Sequence, residues 1–236
     1  KGRGPYGPRS FFLERSSQGD PMLVEAYVDQ LATALAAERN GAGRLELCGP
    51  GEGGLTPSPE LLASVMGAVR IPVHAMTRPR TGDFVYTDAE FAVMRDEVAM
   101  IKAAGCAGVV LGISHPDGTL DVGRMAELIA LARPLRIGVH RAFDRTPDAD
   151  AALDQLIALG VDVVLAAGHA PTAEEGIATL ARLHRRAAGR TTIMPGGGVR
   201  AHNVQRIIRE TGVHEVHARA SEPEVFAALV RASTSP

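Results

Sequence analysis

The stretch Arg44-Leu45-Glu46-Leu47-Cys48-Gly49 (RLELCG, residues 44–49) alternates apolar residues with polar or sulfur-bearing ones. Because a β-strand points successive side chains to opposite faces, Leu45 and Leu47 share one face, and Glu46 and Cys48 share the other. The apolar face needs a covering layer, whereas a buried carboxylate on the other face needs polar partners. The stretch therefore predicts a strand with helices outside and a polar interior inside, as in a closed barrel of parallel strands.

The same strand-and-helix unit recurs along the chain from Met22 onward. A short apolar or β-branched run is followed by a polar loop with Gly or Pro, and then by an Ala- and Leu-rich segment of helical period. Eight such units predict a single (β/α)8 TIM barrel. An open doubly wound sheet is the alternative, but the Gly-rich turn expected after its first strand is missing after Asp29. The predicted strands cover residues 23–29, 44–49, 72–78, 108–114, 136–144, 162–168, 191–195 and 215–220.

Capping residues mark where several helices begin. Ser, Thr or Asp before a helix, with Glu three residues later or Pro at the first helical position, is the usual pattern. The predicted helix starts are Ser58 before Pro59, Thr87 with Glu90, Thr146 before Pro147, Thr172 with Glu175, and Ser221 with Glu224.

The first 21 residues differ from the rest of the chain. They are rich in Gly, Pro, Arg and Ser and have no periodicity, so residues 1–21 are predicted to be either a disordered extension or a remnant that is not native to the protein. Residues 22–236 form the predicted barrel domain, since a chain of this size commonly folds around one core.

Composition excludes several classes of function. The net charge is -2 and the arginines are scattered among acidic residues, so we expect no nucleic-acid partner. No run approaches the ~18 apolar residues of a membrane span, so we expect no membrane partner. The only lysines are Lys1 and Lys102, neither on a predicted strand, which excludes Schiff-base chemistry in the barrel. The only cysteines, Cys48 and Cys106, fall at opposite rims, so Cys106 is expected to serve packing alone.

Strand parity places ionisable and sulfur-bearing side chains inside the barrel. Many charges in one interior must pair with one another or with a ligand, because an unpaired buried charge is costly. One interpretation is an architectural network in which Glu25 and Glu46 pair with Arg78 or Arg141. Several histidines and a thiol add nothing to such a network and favour a ligand site instead. The side chains predicted to point inward are Glu25, Tyr27, Asp29, Glu46, Cys48, His74, Met76, Arg78, His140, His217 and Arg219.

Two sets of candidate residues converge on the carboxyl ends of the strands, where barrels build their active sites. The acid-base candidates are Glu25, Glu46, His74, His140 and Asp144. The anion-binding candidates are Arg78, Arg80, Arg141, Gly196, Gly197 and Gly198, the glycines lying in a turn whose bare backbone N–H groups suit an anion.

Seven stretches together resemble the copper homeostasis protein CutC family. They are residues 24–29 (VEAYVD), 44–48 (RLELC), 53–58 (GGLTPS), 72–80 (PVHAMTRPR), 82–86 (GDFVY), 140–144 (HRAFD) and 194–199 (MPGGGV). The resemblance runs in order from Met22 to about Ser221, and implies a cytoplasmic (β/α)8 barrel associated with copper tolerance and Cu(I) binding.

The resemblance implies Cys48 and His74 as metal ligands, with copper as the cofactor. Family members usually carry a cysteine where this chain has Tyr27, and the chain also departs from the family pattern at residues 166–167 and 218–219. Cu(I) favours thiolate and thioether ligands, so Cys48 would be completed by His74, Met76 or a neighbouring subunit of a homo-oligomer.

Two functional hypotheses remain open. The first is a CutC-like, Cu(I)-binding protein of copper homeostasis. The second is a TIM-barrel enzyme acting on a small anionic or phosphorylated metabolite, with Glu and His as acid-base groups or as ligands of a divalent metal. The expected partner is accordingly a copper ion or a small anionic ligand. A barrel that serves only as a scaffold is a third reading, disfavoured because idle buried charges pack poorly.

Overall fold

The computed structural model describes residues 22–50 and 53–234. The predicted disordered extension, residues 1–21, lies outside them. Eight strands alternate with eight α-helices in the described residues. The strands are β1 (Leu23–Val28), β2 (Arg44–Leu47), β3 (Val73–Met76), β4 (Gly108–Leu111), β5 (Arg136–Val139), β6 (Val163–Ala166), β7 (Thr192–Pro195) and β8 (Glu215–Arg219). The helices are α1 (Leu31–Arg39), α2 (Pro59–Ala68), α3 (Asp88–Ala103), α4 (Val122–Ala132), α5 (Ala149–Ala158), α6 (Ile177–Ala187), α7 (Val204–Thr211) and α8 (Pro223–Thr234).

All the strand pairs are parallel, and the strands follow one another around a nearly closed barrel. The hydrogen-bonded order is β7-β6-β5-β4-β3-β2-β1-β8. β1 pairs with both β2 and β8, which brings the first and last strands together, as a barrel requires and an open doubly wound sheet does not. β7 and β8 lie side by side, but within the described part of the chain they form no ladder. The predicted (β/α)8 TIM barrel is thereby confirmed.

The fifth predicted strand, residues 136–144, was too long. β5 ends at Val139, and a short 3₁₀ helix covers Phe143–Arg145. The backbone N–H groups of Phe143 and Asp144 donate to the carbonyl oxygens of His140 and Arg141, three residues earlier, at 3.2 Å each. This tight turn carries the chain away from the sheet and re-aims the side chains that follow His140.

Local hydrogen bonds decide where the helices begin. Ser58 caps α2, and Thr87 and Glu90 form a reciprocal capping box at α3, both as predicted. The predicted start at Thr146 is wrong, because its hydroxyl donates to the Phe143 carbonyl oxygen (2.8 Å) and Asp148 caps α5 instead.

Two other predicted starts lie ahead of their helices. The Glu175 N–H donates to the Thr172 hydroxyl (3.3 Å), but this closes a turn before α6, which begins at Ile177. α8 begins at Pro223, two residues after the predicted Ser221.

The main hydrophobic core lies between the strands and the helices. The strand residues with outward parity, such as Leu45, Leu47, Ala75 and Val139, are fully buried against it. Cys106 belongs to this outer layer, with its Sγ 3.8 Å from Met66 Sδ, as expected of a packing residue. Across the described residues, no helix combines the length and the apolar character that crossing a membrane requires.

Candidate functional site

The interior of the barrel contains one cluster of charged and ionisable side chains near the middle of the strands. Register brings its members together, because Glu25 on β1 lies opposite Arg44 on β2 and His217 on β8. Glu46 on β2 lies opposite His74 on β3 in the same way. We call these five residues the interior cluster.

Arg44 holds the inner end of this cluster. Its Nε donates to Glu25, and its Nη2 donates to Glu215 at 2.6 Å. The arginine is only 2% exposed. The interior network that the sequence suggested is therefore real, but the cation pairing with Glu25 is Arg44, rather than Arg78 or Arg141.

Glu25 remains a carboxylate. Burial alone raises the pKa of this side chain, but the Arg44 guanidinium and the hydrogen bond with His217 Nδ1 (3.0 Å) outweigh burial. The pKa of Glu25 is held well below its usual 4.5 as a result. Glu25 and Arg44 thus form a fixed ion pair, which suits a supporting role better than proton transfer.

Glu46 and His217 are the members of the cluster suited to proton transfer. Burial raises the pKa of Glu46 to about 7, against the opposing effect of His217, whose Nε2 lies 3.7 Å from Glu46 Oε2. Burial lowers the pKa of His217, but the carboxylates of Glu46 and Glu25 outweigh it and raise that pKa above its usual 6.5. The titrations of the two groups are coupled, because each shifts the pKa of the other.

His74 plays a different part from the acid-base role that the sequence suggested. Its Nδ1 lies 3.8 Å from Glu25 Oε2, and its ring packs against Gly108, where a Cβ atom would come within 2.4 Å of it. Burial lowers the pKa of His74 to about 3, so the ring is neutral.

The predicted metal ligands Cys48 and His74 do not belong to the ligand group that the described residues form. Among the described residues, the three that could share an ion are Glu25, Glu46 and His217, whose ligand atoms lie within 4.8 Å of one another. These oxygen and nitrogen donors suit a divalent cation rather than Cu(I).

Cys48 lies in a small buried cluster of apolar side chains and sulfur atoms with Tyr27, Met76 and Val110. Its Sγ is 4.0 Å from Glu46 Oε2, and burial raises the pKa of the thiol well above its usual 9.0. Gly54 covers it, since a Cβ there would come within 2.7 Å of Cys48 Sγ. We call Cys48 and Met76 the sulfur pair.

A cavity of about 550 Å³ opens above these groups at the carboxyl ends of the strands. Glu46, His217, Tyr27 and Met76 lie along its wall, so the interior chemistry faces the mouth of the barrel. The other lining residues are Gly53, Arg78, Thr81, Gly82, Phe84, His140, Arg141, Arg145, Leu165, Gly197, Gly198, Val199, Arg200, Ala218 and Arg219.

His140 lines this mouth, apart from the interior cluster. The backbone N–H of Ala142 donates to His140 Nδ1 (3.2 Å), so the neutral ring carries its proton on Nε2. Burial, together with the nearby charge of Arg78, lowers the pKa of His140 to about 3. The residue therefore presents a neutral donor rather than a base near pH 7.

The predicted anion-binding arginines divide into two groups. Arg78 and Arg141 line the mouth. Arg80 does not, because its guanidinium bonds Glu90 (2.6 Å) and Asp83 (2.9 Å) and braces the loop before α3.

Asp144 also braces a loop. Its carboxylate accepts hydrogen bonds from the backbone N–H groups of Ala167 (2.8 Å) and His169 (3.0 Å) and from Arg141 Nε (2.8 Å). The side chain thus ties the 3₁₀ helix to the loop after β6 and orients Arg141 towards the mouth.

Two of the three glycines in the turn after β7 line the mouth of the barrel. Gly197 and Gly198 line the mouth, and Gly197 has φ of +95°, which favours glycine. Gly196 is committed elsewhere, since its N–H donates to the Ala166 carbonyl oxygen (2.9 Å).

Several residues of the site were not among the sequence candidates. Strand parity could have found Arg44, which shares the face of Glu46 and Cys48, and could have promoted His217 from an inward residue to a candidate. Arg145 gave no comparable signal, because it lies on a 3₁₀ helix in a segment that was predicted to be extended up to residue 144.

Comparison with known proteins identifies the family. The model of the CutC family matches residues 22–222. A mouse relative named copper homeostasis protein cutC homolog is 44% identical over 87% of this chain and 76% of its own. A family protein CutC from Chromobacterium violaceum is 44% identical over 84% of this chain and 81% of its own.

The crystal structure of a CutC protein from Streptococcus agalactiae superposes with a TM-score of 0.80. It is 32% identical and covers 84% of this chain and 98% of its own. With the barrel, the residues of its mouth and these similarities in view, the chain belongs to the CutC family.

Proposed function

We propose that the protein binds Cu(I) inside the barrel through the sulfur pair, Cys48 and Met76. The observation that carries the proposal is the packing of both residues in one buried cluster at the carboxyl ends of β2 and β3. Thiolate and thioether sulfur are the donors that Cu(I) prefers. The copper homeostasis name of the mouse relative supports the same assignment.

Tyr27 limits the strength of such a site. Its ring packs in the cluster of the sulfur pair, at the position where the resemblance to the CutC family implies a cysteine. Burial raises the pKa of the phenol to about 12, so it stays protonated near neutral pH and is a poor replacement for a thiolate. This chain thus supplies one thiol and one thioether, and we expect weaker Cu(I) binding than from a pair of thiols.

The buried thiol also makes binding depend on pH. Because burial raises the pKa of Cys48, Cu(I) must displace a proton, and affinity should increase as the pH rises. We place this function in the cytoplasm, where thiols stay reduced; both cysteines are free thiols in the structure.

Titration with Cu(I) against a chromogenic competing chelator, without oxygen, tests the proposal. We expect Cys48→Ala to weaken binding by about 100-fold or more and Met76→Leu by about 10-fold, as for the loss of a ligand and of a weaker donor. Cys106→Ala is the matched control, because Cys106 is equally buried and also lies beside a thioether, that of Met66.

Two results would contradict the proposal. Undiminished binding by Cys48→Ala would remove the sulfur pair from consideration. Loss of binding in Cys106→Ala alone would move the site to the outer layer, between strands and helices.

A further inference from the structure

We propose that the mouth of the barrel is a binding site for a small organic anion, whose carboxylate or phosphate oxygens face Arg145, Arg200 and Arg219 and are bonded by His140. This site adjoins the sulfur pair, because Tyr27 and Met76 line the same cavity, but its contacts are nitrogen and oxygen donors rather than sulfur atoms. Its support comes from the charge of the lining, the pairing of the arginines, and buried donors that lack a partner.

The charge of the lining is strongly one-sided. Among the described residues, five arginines line the cavity, whereas Glu46 is the only carboxylate in the lining. Asp144 neutralises one of the five by its contact with Arg141. An excess of positive charge in a concave, partly enclosed site attracts anions and repels cations. The five arginines are Arg78, Arg141, Arg145, Arg200 and Arg219.

Three of the five lining arginines have no carboxylate partner in the described part of the chain. Within residues 22–50 and 53–234, Arg145, Arg200 and Arg219 have no carboxylate oxygen within 4 Å. Some arginines on the outer helices do pair, for example Arg95 with Glu127 at 3.0 Å and Arg186 with Asp154, whereas others among the described residues, such as Arg39 and Arg185, form no ion pair either. The mouth is distinguished by bringing three unpaired arginines onto one cavity.

Aromatic rings hold two of these guanidiniums in place. Arg145 lies over Phe84 at 4.7 Å from the ring centroid, and Arg219 lies over Tyr27 at 4.3 Å. Stacking uses the flat face of the guanidinium and leaves its N–H edges to bond a carboxylate or phosphate. The two arginines are thus positioned in advance for an anion.

Two buried donors complete the site. His140 is 4% exposed, and its Nε2 has no hydrogen-bond partner among the described residues. The Tyr27 hydroxyl is in the same situation. Buried donors are almost always satisfied in proteins, so two without partners on one cavity indicate a ligand that accepts hydrogen bonds.

The size of the cavity sets the class of ligand. A volume of about 550 Å³ falls within the usual range for small-molecule sites and is far too small for a macromolecule. The ligand is accordingly a metabolite-sized molecule with at least one carboxylate or phosphate group.

Isothermal titration calorimetry at low ionic strength, with inorganic phosphate and with succinate as probes, tests this site. We expect both Arg145→Gln and Arg219→Gln to raise the Kd of the bound probe about tenfold or more, as for a lost charged hydrogen bond. Arg95→Gln is the matched control, because Arg95 also stacks on a ring, that of Phe91 at 5.6 Å, and the change in net charge is the same. It should alter the Kd by less than about twofold.

His140→Phe keeps an aromatic ring at the same position and removes the donor. We expect weaker binding of the probe with an unchanged circular dichroism spectrum, and a folded His140→Phe variant that binds as tightly as the parent would remove His140 from the site. Binding of phosphate alone would support a phosphorylated ligand, and binding of succinate alone would support a carboxylic acid.

Two outcomes would overturn the proposal. One is no binding of either probe at concentrations on the order of 50 mM, well above the range expected for fragments of a true ligand. The other is an equal loss in Arg95→Gln, which would show general attraction to a charged surface. The Cys48→Ala variant separates this proposal from Cu(I) binding, because it should retain the anion whatever its effect on copper.

Discussion

Replacing Arg44 with methionine should destabilise the barrel strongly. Arg44 is 2% exposed, and its guanidinium bonds both Glu25 and Glu215. Methionine fills most of the space of the aliphatic stem, so the main loss is the counter-ion of Glu25, which is itself 2% exposed. Leaving a buried carboxylate without its partner costs about 3–5 kcal/mol of unfolding free energy.

The loss should grow with pH. In the parent, the pKa of Glu25 is below its usual 4.5, so its stabilising effect is present above pH 4.5 and is lost on acidification towards the lower folded value. Without Arg44, burial becomes the dominant effect and the pKa of Glu25 moves upward. The variant then loses stability as the pH rises above 4.5, and the gap between parent and variant is wider at pH 8 than at pH 5.

Urea unfolding at pH 5 and pH 8 measures both effects. The double variant Arg44→Met/Glu25→Gln should recover about 2–3 kcal/mol relative to the sum of the single losses. Arg95→Met is the control, since its ion pair with Glu127 is about half exposed on both sides and should be worth less than about 1 kcal/mol. A loss below about 1 kcal/mol in Arg44→Met at pH 8, or additive losses in the double variant, would refute the reasoning.

Two further variants test other parts of the structure. Gly54→Ala should lower the free energy of unfolding in urea by about 1–3 kcal/mol, because φ is +77° and the new Cβ would lie 2.7 Å from Cys48 Sγ. Gly105→Ala is the control, since Gly105 has a similar φ (+79°) but no atom within 4 Å of the new Cβ. An equal loss in both variants would show that the contact with Cys48 does not matter. Glu97→Gln should stabilise the protein at pH 8 by up to about 1 kcal/mol but not at pH 4. Burial raises the pKa of Glu97 from its usual 4.5 to about 7, so the parent loses stability as the pH rises between these values. Thermal unfolding at both pH values measures the effect, and a gain of equal size at pH 4 would contradict it.

Periodicity and parity predicted the barrel because they report the physical demands of its two layers. Leu45 and Leu47 must meet helices, whereas Glu46 and Cys48 must meet the interior, and this constraint repeats on every strand. The same rule placed Glu25, Glu46 and His217 inside, where the structure brings them together. It applies equally to Arg44, which shares the face of Glu46 and Cys48 but was not among the residues predicted to point inward.

The roles of the loop residues could not be predicted in the same way. Whether Arg80 and Asp144 face a ligand or brace a loop depends on turns whose geometry comes from tertiary hydrogen bonds, not from periodicity. Asp144 bonds backbone groups of Ala167 and His169, more than twenty residues further along the chain. A pattern of alternating residues carries no information about such distant partners.

The missing ladder between β7 and β8 makes this seam of the described barrel different from the others. Seven ladders tie the remaining neighbours of the described sheet together, so parting any of those pairs would break backbone hydrogen bonds. Separating β7 from β8 sacrifices only side-chain packing, and the glycine turn after β7 and His217 on β8 flank that line. Among the neighbouring strands of the described sheet, β7 and β8 are therefore the pair held least firmly by the backbone.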